Sequence, residues 1–267
     1  MRSFDVIFSG VRAISKEEAE GMFFWQRGTI PAFAITAVAV FFAFFVILTN
    51  LSLAMQPLVF VYLIMFVIGG FFGLLIIRFD KALIKEGTIS GLVGGVLGFF
   101  LLILLSVFFQ FLSTLQLLET PPPGLITPFE NWIYQLVFVA ITEELFFRQT
   151  LAYIVSEFVL RKFMNPWRAR QVSLILIMAV AFGVIHFAAY ELNFWNIFNA
   201  VVAGAILGFI RYGWPRKKDG QIIYDTVEYE GTVIQVPRLL FGGFFACYLA
   251  HLLYNSIMLT QLMVIHF

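Results

Sequence analysis

The sequence predicts an all-α fold, a polytopic transmembrane helix bundle with about seven spans and eight as the alternative count. Of its 267 residues, 61% are hydrophobic and only 12% are charged, whereas globular domains average about 45–50% and about 25%. So few charges do not provide the polar surface that a water-soluble particle needs. The formal net charge of +1 excludes a strongly basic nucleic-acid binder. A single cysteine, Cys247, excludes a disulfide framework.

Runs without charged residues locate the spans, because about 20 apolar residues cross the hydrocarbon core of a membrane. The first two spans are predicted between Arg27 and Arg78, with a break near residues 50–57. The other five are predicted within residues 87–118, 131–160, 170–191, 191–211 and 239–265. The span at 131–160 differs from the others because it carries three charged residues in its middle.

The basic residues give an independent test of this count. All of the 17 Lys and Arg residues except Arg148 fall in segments that the seven-span count places on one side of the membrane. Basic residues concentrate in cytoplasmic loops, and a missed or additional span would mix the two sides. The N-terminus is therefore predicted to be cytoplasmic and the C-terminus external.

The chain is predicted to consist of a cytoplasmic or interfacial segment, 1–30, and a transmembrane domain, 31–267, whose motif-bearing core is 131–265. Residues 15–18, Ser-Lys-Glu-Glu, have the pattern of a helix capping box and precede apolar residues on one helical face. This pattern indicates a helix at 15–27 that lies on the cytoplasmic surface of the membrane.

Two further segments lie outside the predicted spans. Residues 224–228 and 232–236 flank a Glu230-Gly231 turn in a polar stretch, which predicts a small cytoplasmic β-hairpin. The run of three prolines and a glycine at 121–124 predicts a stiff external connector.

Six polar residues are predicted inside the membrane, where a charge at the bilayer centre costs about 2.5–3.5 kcal/mol. With a rise of 1.5 Å per residue, four of them lie roughly 20–26 Å from the cytoplasmic ends of their helices. These four are Glu143, His186, His251 and Asn255. Three helices would therefore bring polar groups to one layer of the membrane. These residues are Glu143, Glu144 and Arg148 in span four, His186 in span five, and His251 with Asn255 in span seven.

Helical spacing separates the roles of the two carboxylates. Glu144 and Arg148 are four residues apart and can form an ion pair on one helix face, which favours a structural role for them. Glu143 points about 100° away from Glu144, so its carboxylate is available as a general base. A histidine such as His186, taken alone, is equally well explained by a hydrogen bond between helices.

The same residues resemble a known family. Glu143-Glu144-xxx-Arg148, Phe182-xxx-His186 and His251-xxx-Asn255 match, in order, the EExxxR, FxxxH and HxxxN motifs of the CAAX protease and bacteriocin-processing (CPBP, or Abi) family. A departure is Gln149, where many relatives have Gly after the Arg, and it is expected to alter packing beside the site. The first three spans carry no motif.

The resemblance implies an intramembrane glutamate endopeptidase similar to the type II CAAX prenyl endopeptidase. It implies that Glu143 and His186 hold and activate the attacking water and that His251 and Asn255 form the oxyanion hole. The remaining members, Glu144, Arg148 and Phe182, would support the site. The implied substrate is a membrane-anchored peptide or protein, prenylated or not, and the other expected contact is membrane lipid.

Three alternatives remain at this point. A catalytic zinc ion accepts a His₂Glu set of ligands, which Glu143, His186 and His251 could form. The primary prediction, however, is an enzyme without a cofactor. A scaffold of the same family would act by binding partners without catalysis. A proton-coupled or solute transporter would also use buried Glu, His and Arg residues, but the sequence shows no inverted repeat of the kind that many transporters have.

Overall fold

The structure is a computed structural model that describes residues 25, 29–34, 57–76, 81–113, 139–164, 167–186, 194–229 and 232–265. Helices predominate among these residues. The long helices are α1 (Pro57–Ile76), α2 (Lys81–Ser113), α4 (Trp167–His186), α5 (Phe194–Tyr212) and α6 (Phe244–Ile265). Between α2 and α4 lies α3, a composite helix of five short pieces: Ala140–Glu143, Glu144–Leu151, Ala152–Ile154, Val155–Val159 and Leu160–Lys162.

Three helices of the described chain are long and apolar enough to cross a membrane. The stretches of these three helices that could cross it are Ile84–Phe109, Ala169–His186 and Phe194–Tyr212. Large apolar side chains such as Phe71, Leu104 and Val184 are more than 60% exposed, which suits a lipid-facing surface and not a watery one. The chain is therefore a helical integral membrane protein, as the composition predicts.

The count of seven or eight spans and the sidedness of the termini stay predictions. The break near 50–57 lies outside the described residues up to Pro57, where α1 begins. The connector at 121–124 also lies outside them, and of the interfacial helix predicted at 15–27 only Trp25 is described.

The last span begins later than the sequence predicts. Residues 239–241, placed at the start of that span, form strand β6 (Leu239–Phe241), which pairs with β1 (Trp214–Pro215). Gly242 and Gly243 then have φ values of 135° and 98°, a region that favours glycine, and they turn the chain into α6. A Cβ on Gly242 would lie 2.5 Å from the Cα atom of Gly213, so the close approach also requires glycine there.

The predicted cytoplasmic hairpin is confirmed as a β-hairpin. Strands β4 (Tyr224–Tyr229) and β5 (Thr232–Pro237) are antiparallel, and Tyr229 pairs with Thr232 across the turn. Two shorter strands, β2 (Lys217–Lys218) and β3 (Gln221–Ile222), form a second hairpin before them.

Arg238 and Glu86 connect the β-strands of residues 214–241, the β-layer, to the helices. The Nε atom of Arg238 donates hydrogen bonds to both carboxylate oxygens of Asp225, at 3.0 and 3.1 Å, and this contact raises the pKa of the Arg238 guanidinium. The next backbone N–H, that of Leu239, donates to the Glu86 carboxylate of α2 at 2.9 Å. The β-layer is therefore anchored at the end of α2 that begins with Lys81.

Small residues let α2 and α6 pack closely. A Cβ added to Gly95 would lie 2.6 Å from the Cδ2 atom of Leu249, and one added to Gly98 would lie 2.8 Å from the Cβ atom of Ala250. Close approach of helix backbones at small residues is a common way to pack helices in membranes. This packing fixes the position of α6, which carries His251 and Asn255.

Helix α1 packs against α3 in a similar way. A Cβ on Gly69 would lie 3.2 Å from the carbonyl carbon and the Cβ atom of Leu145. The Thr150 hydroxyl donates a hydrogen bond of 3.2 Å to the Gly69 carbonyl. Both helices are therefore held in contact at the segment that carries the two glutamates.

Candidate active site

Side chains from three helices form a buried polar cluster. Glu143 and Glu144 come from α3, His186 is the last residue of α4, and His251 lies in the first half of α6. The exposed fraction is 1% for Glu143, 0% for Glu144 and 7% for His251. Such side chains need partners when they are buried, because burying an unpaired charge is costly.

The Glu143 carboxylate lies at the centre of the cluster. Its Oε1 atom accepts a hydrogen bond of 2.5 Å from the Tyr62 hydroxyl of α1. The Nε2 atom of His186 is 3.6 Å from Oε1, and the Nε2 atom of His251 is 3.7 Å from Oε2. Each oxygen of this carboxylate therefore faces one imidazole ring.

Both histidines are oriented through their other ring nitrogen. The Nδ1 atom of His186 is 2.7 Å from the carbonyl oxygen of Phe182, which can only accept, so Nδ1 is the donor. The Nδ1 atom of His251 is 2.9 Å from Oε1 of Glu144, and it donates to that carboxylate when the latter is ionised. A histidine fixed in this way directs Nε2 in a defined direction, here toward Glu143.

Glu144 and Arg148 are paired, at the spacing that the sequence suggests. The Nε atom of Arg148 is 3.7 Å from Oε2 of Glu144, and both side chains are buried. The guanidinium also lies 4.3 Å from the centre of the Phe182 ring, a cation–π geometry, and its Nη2 atom lies 3.4 Å from the carbonyl of Gly204 on α5. Arg148 therefore links α3, α4 and α5 beneath the cluster.

Phe182 contacts both histidines of the cluster. Its ring centre is 4.4 Å from that of His186 and 6.1 Å from that of His251. The side chain is 3% exposed, so it forms an apolar support for the two imidazole rings. Its backbone carbonyl orients His186 in addition.

Asn255 is placed near the cluster by helix register. It follows His251 by one turn on α6 and is half-buried, so both side chains lie on one helix face. The other predicted site residues are joined to one another by the contacts described above. Asn255 is placed near them by its spacing of one helical turn from His251.

The glutamate segment of α3 has a conformation that the sequence does not reveal. Glu143 ends a short α-helical piece, and Glu144–Leu151 forms a π-helix. π-Helical turns are rare and are frequent at functional sites. The expected α-helical geometry is therefore wrong for Glu144–Leu151, yet Glu144 and Arg148 still meet because four residues remain close to one turn.

Gln149 occupies a buried position in a network of its own. Its amide nitrogen donates a hydrogen bond of 2.8 Å to the carbonyl of Trp25, and its Oε1 atom accepts one of 2.9 Å from Arg211. Arg211 is 1% exposed, although the sequence places it with the basic residues of a cytoplasmic segment. Gln149 thus joins the N-terminal segment to α3 and α5.

The three groups proposed for zinc converge, since both Nε2 atoms face the Glu143 carboxylate. Within the described part of the chain, however, no group of three or more His, Cys, Asp or Glu side chains has an arrangement that could hold a metal ion. The zinc alternative for Glu143, His186 and His251 stays a prediction, and metal analysis of the purified protein tests it.

Tyr62 is a residue of the site that no sequence motif indicates. This residue lies in α1, in a part of the chain without motifs, and its only signal was a hydroxyl-bearing ring within an apolar run. Its contact with Glu143 joins residues that are 81 positions apart, which no local pattern predicts.

Comparison with known proteins adds one finding. Residues 125–222 match the family model described as type II CAAX prenyl endopeptidase, Rce1-like. This match confirms the predicted resemblance and supports a peptidase as the general class. The matched segment contains the first two motifs, whereas His251 and Asn255 lie beyond it. No curated protein and no solved structure matches the chain.

Proposed function

We propose that this chain is an intramembrane endopeptidase that hydrolyses peptide bonds of membrane-associated substrates, with a water molecule activated by Glu143 and His186. The observation that carries the proposal is the buried Glu143 carboxylate, which faces the Nε2 atoms of His186 and His251 at 3.6 and 3.7 Å. Prenylated proteins that end in a CAAX-type sequence are the substrate class that we favour.

The separation of Glu143 and His186 suits a shared water molecule. Hydrogen bonds to water are about 2.7–3.0 Å long, so one molecule can bond to two acceptors that are 3.6 Å apart. Water must lose a proton as it attacks a peptide carbonyl, and a positioned carboxylate contributes about 10²–10⁴-fold to such a step. Glu143 accepts that proton, while His186 holds the water in place.

His251 and Asn255 are the proposed donors to the oxyanion of the tetrahedral intermediate. Because Nδ1 of His251 donates to Glu144, Nε2 carries a hydrogen only in the cationic ring. The Glu144 carboxylate stabilises that cation, as the buried aspartate does for the histidine of a serine protease triad. Loss of one oxyanion donor is expected to lower kcat by about 10²–10³.

A comparison of protein termini in host membranes tests the proposal for any substrate that the host supplies. Cells express the wild type, Glu143→Gln or Glu157→Gln, and mass spectrometry identifies new termini. Glu157 is the matched control because it also lies on α3 but pairs with Arg161 and Arg170 instead of the cluster.

Termini present with the wild type and Glu157→Gln, and absent with Glu143→Gln, would support the endopeptidase. Identical termini for all three proteins would contradict it, and a scaffold would then be the better account. Termini that end three residues before the end of prenylated proteins would identify the CAAX class, and other cut sites would exclude it as the main substrate.

A further inference from the structure

We propose that Tyr62 is a positioning residue of the catalytic centre, acting through the carboxylate of Glu143. The inference rests on the proposed function and deepens it, because it adds a helix to the site that carries none of the three motifs. The Tyr62 hydroxyl donates a hydrogen bond of 2.5 Å to Oε1 of Glu143. Tyr62 also lies outside the segment 125–222.

The terminal torsion of a glutamate needs a constraint if the carboxylate is to act in one orientation. Rotation about χ3 of Glu is broad and is not confined to staggered wells. The imidazole contacts of Glu143, at 3.6 and 3.7 Å, are longer than hydrogen bonds. Among the residues that the structure describes, Tyr62 makes the short contact of this carboxylate, so its bond fixes Oε1 beside His186 and turns Oε2 toward His251.

The position of Tyr62 is itself determined by packing along α1. Gly69 lies against the backbone of Leu145, and its carbonyl accepts the Thr150 hydroxyl. Tyr62 and Gly69 are separated along α1 by the same number of residues as Glu143 and Thr150 along α3. The two helices therefore run parallel and in register, which is the relative direction that spans two and four need.

Apolar packing between the two contacts adds to this register. Met65, one turn after Tyr62, is 4% exposed and packs with Phe147 and Phe182. Phe182 in turn supports the rings of both histidines. The hydroxyl of Tyr62 is thus delivered to Glu143 by a helix whose position is set by the same side chains that support the site.

Substitution of Tyr62 by Phe removes the donor and keeps the ring. We expect kcat to fall about 10- to 100-fold, since a misplacement of about 1 Å in a catalytic group can cost 10² in rate, with KM changed by less than about twofold. The probe is a quenched fluorescent peptide with a farnesylated CAAX end, cleaved by the full-length protein in phospholipid vesicles.

Tyr248→Phe is the matched control. Tyr248 is buried in α6, and its hydroxyl has no hydrogen-bond partner among the described residues. Its loss is expected to leave kcat and KM within about twofold of the wild type. Equal kcat values for Tyr62→Phe and the wild type, with cleavage abolished by Glu143→Gln, would overturn the role of Tyr62 while the proposed function stands.

Fluorinated tyrosines at position 62 separate positioning from mere packing. They keep the size of the ring nearly constant and change the acidity of the phenol, and therefore the strength of the hydrogen bond that it donates. A graded change in kcat across the series is expected at Tyr62 and none at Tyr248. A flat response at Tyr62 would show that only the shape of the ring matters, and would overturn the inference.

The hydrogen bond can also be tested without any substrate. The shift in Tm caused by Tyr62→Phe is measured in the wild-type background and again in Glu143→Ala. The bond predicts different shifts in the two backgrounds, because contacting residues are not additive. Equal shifts would overturn the contact itself, whereas unequal shifts with no cleavage of any peptide by the wild type would keep the contact and contradict the proposed function.

Discussion

Removal of Arg148 gives a quantitative test of how the buried charges are balanced. In Arg148→Met, a side chain of similar length replaces the guanidinium, and Glu144 loses the cation whose Nε atom lies 3.7 Å from Oε2. Glu144 is 0% exposed, so water cannot take the place of the cation. Breaking a buried ion pair by removing one partner costs about 3–5 kcal/mol.

The size of this loss can be converted into a change in Tm. One kcal/mol corresponds to about 2–4 °C for a domain of 150–250 residues, so Tm is expected to fall by about 6–20 °C. Thermal unfolding of the protein in nanodiscs, followed by tryptophan fluorescence, measures the change. Arg161→Met is the control, because Arg161 also lies on α3 and pairs with a glutamate, but its side chain is 45% exposed. Exposed pairs contribute about 0–1 kcal/mol.

A double variant identifies the cause of the loss. In Glu144→Gln/Arg148→Met both members of the ion pair are neutral, so neither is left as an uncompensated charge by the loss of the other. The double variant is expected to be more stable than the sum of the single losses predicts, by about 1–3 kcal/mol, within the range for contacting residues. Glu144 and Arg148 do not form a stabilising buried pair if Arg148→Met costs no more than Arg161→Met, or if the losses of the two single variants simply add.

Three further predictions concern the surroundings of the site. Gln149→Gly removes hydrogen bonds to Arg211 and to the N-terminal segment and is expected to cost about 1.5–3 kcal/mol in denaturant unfolding; unchanged stability would contradict the network. Gly95→Leu is expected to lower Tm and activity, since a Cβ added there would lie 2.6 Å from the Cδ2 atom of Leu249. Gly70→Leu is its neutral control, because a Cβ added at Gly70 would have no atom within 4 Å. A zinc chelator is expected to leave peptide cleavage unchanged, and loss of activity together with stoichiometric zinc would favour the zinc enzyme.

Much of the fold follows from composition and periodicity. The membrane helices over residues 87–113, 170–186 and 194–211 lie where uncharged runs predict them, because the hydrocarbon core imposes a length on any uncharged helix. The hairpin at 224–237 follows from alternation around a turn. The start of the last span does not follow from these patterns, because the apolar run Leu239–Phe241 is compatible with a strand and with a helix. Its pairing with Trp214 makes it a strand.

The site shows where local patterns stop. The motif residues of three helices are each predicted from the sequence. Because they are buried, they have to lie where each can form an ion pair or a hydrogen bond. Tyr62 and the partners of Gln149 depend on contacts between distant segments, which are set by packing and not by spacing. The π-helix at Glu144–Leu151 is likewise not predicted, since its residues have no pattern that distinguishes it from an α-helix.

Cleavage of a peptide by the purified protein shows whether Glu143 activates water for hydrolysis. Wild type, Glu143→Gln and Glu157→Gln are reconstituted in vesicles with a peptide that spans a bond identified from the new termini. Cleavage at that bond by the wild type and Glu157→Gln, with none by a folded Glu143→Gln, is the predicted result. Cleavage by Glu143→Gln at the wild-type rate would show that Glu143 is not the base that activates the water.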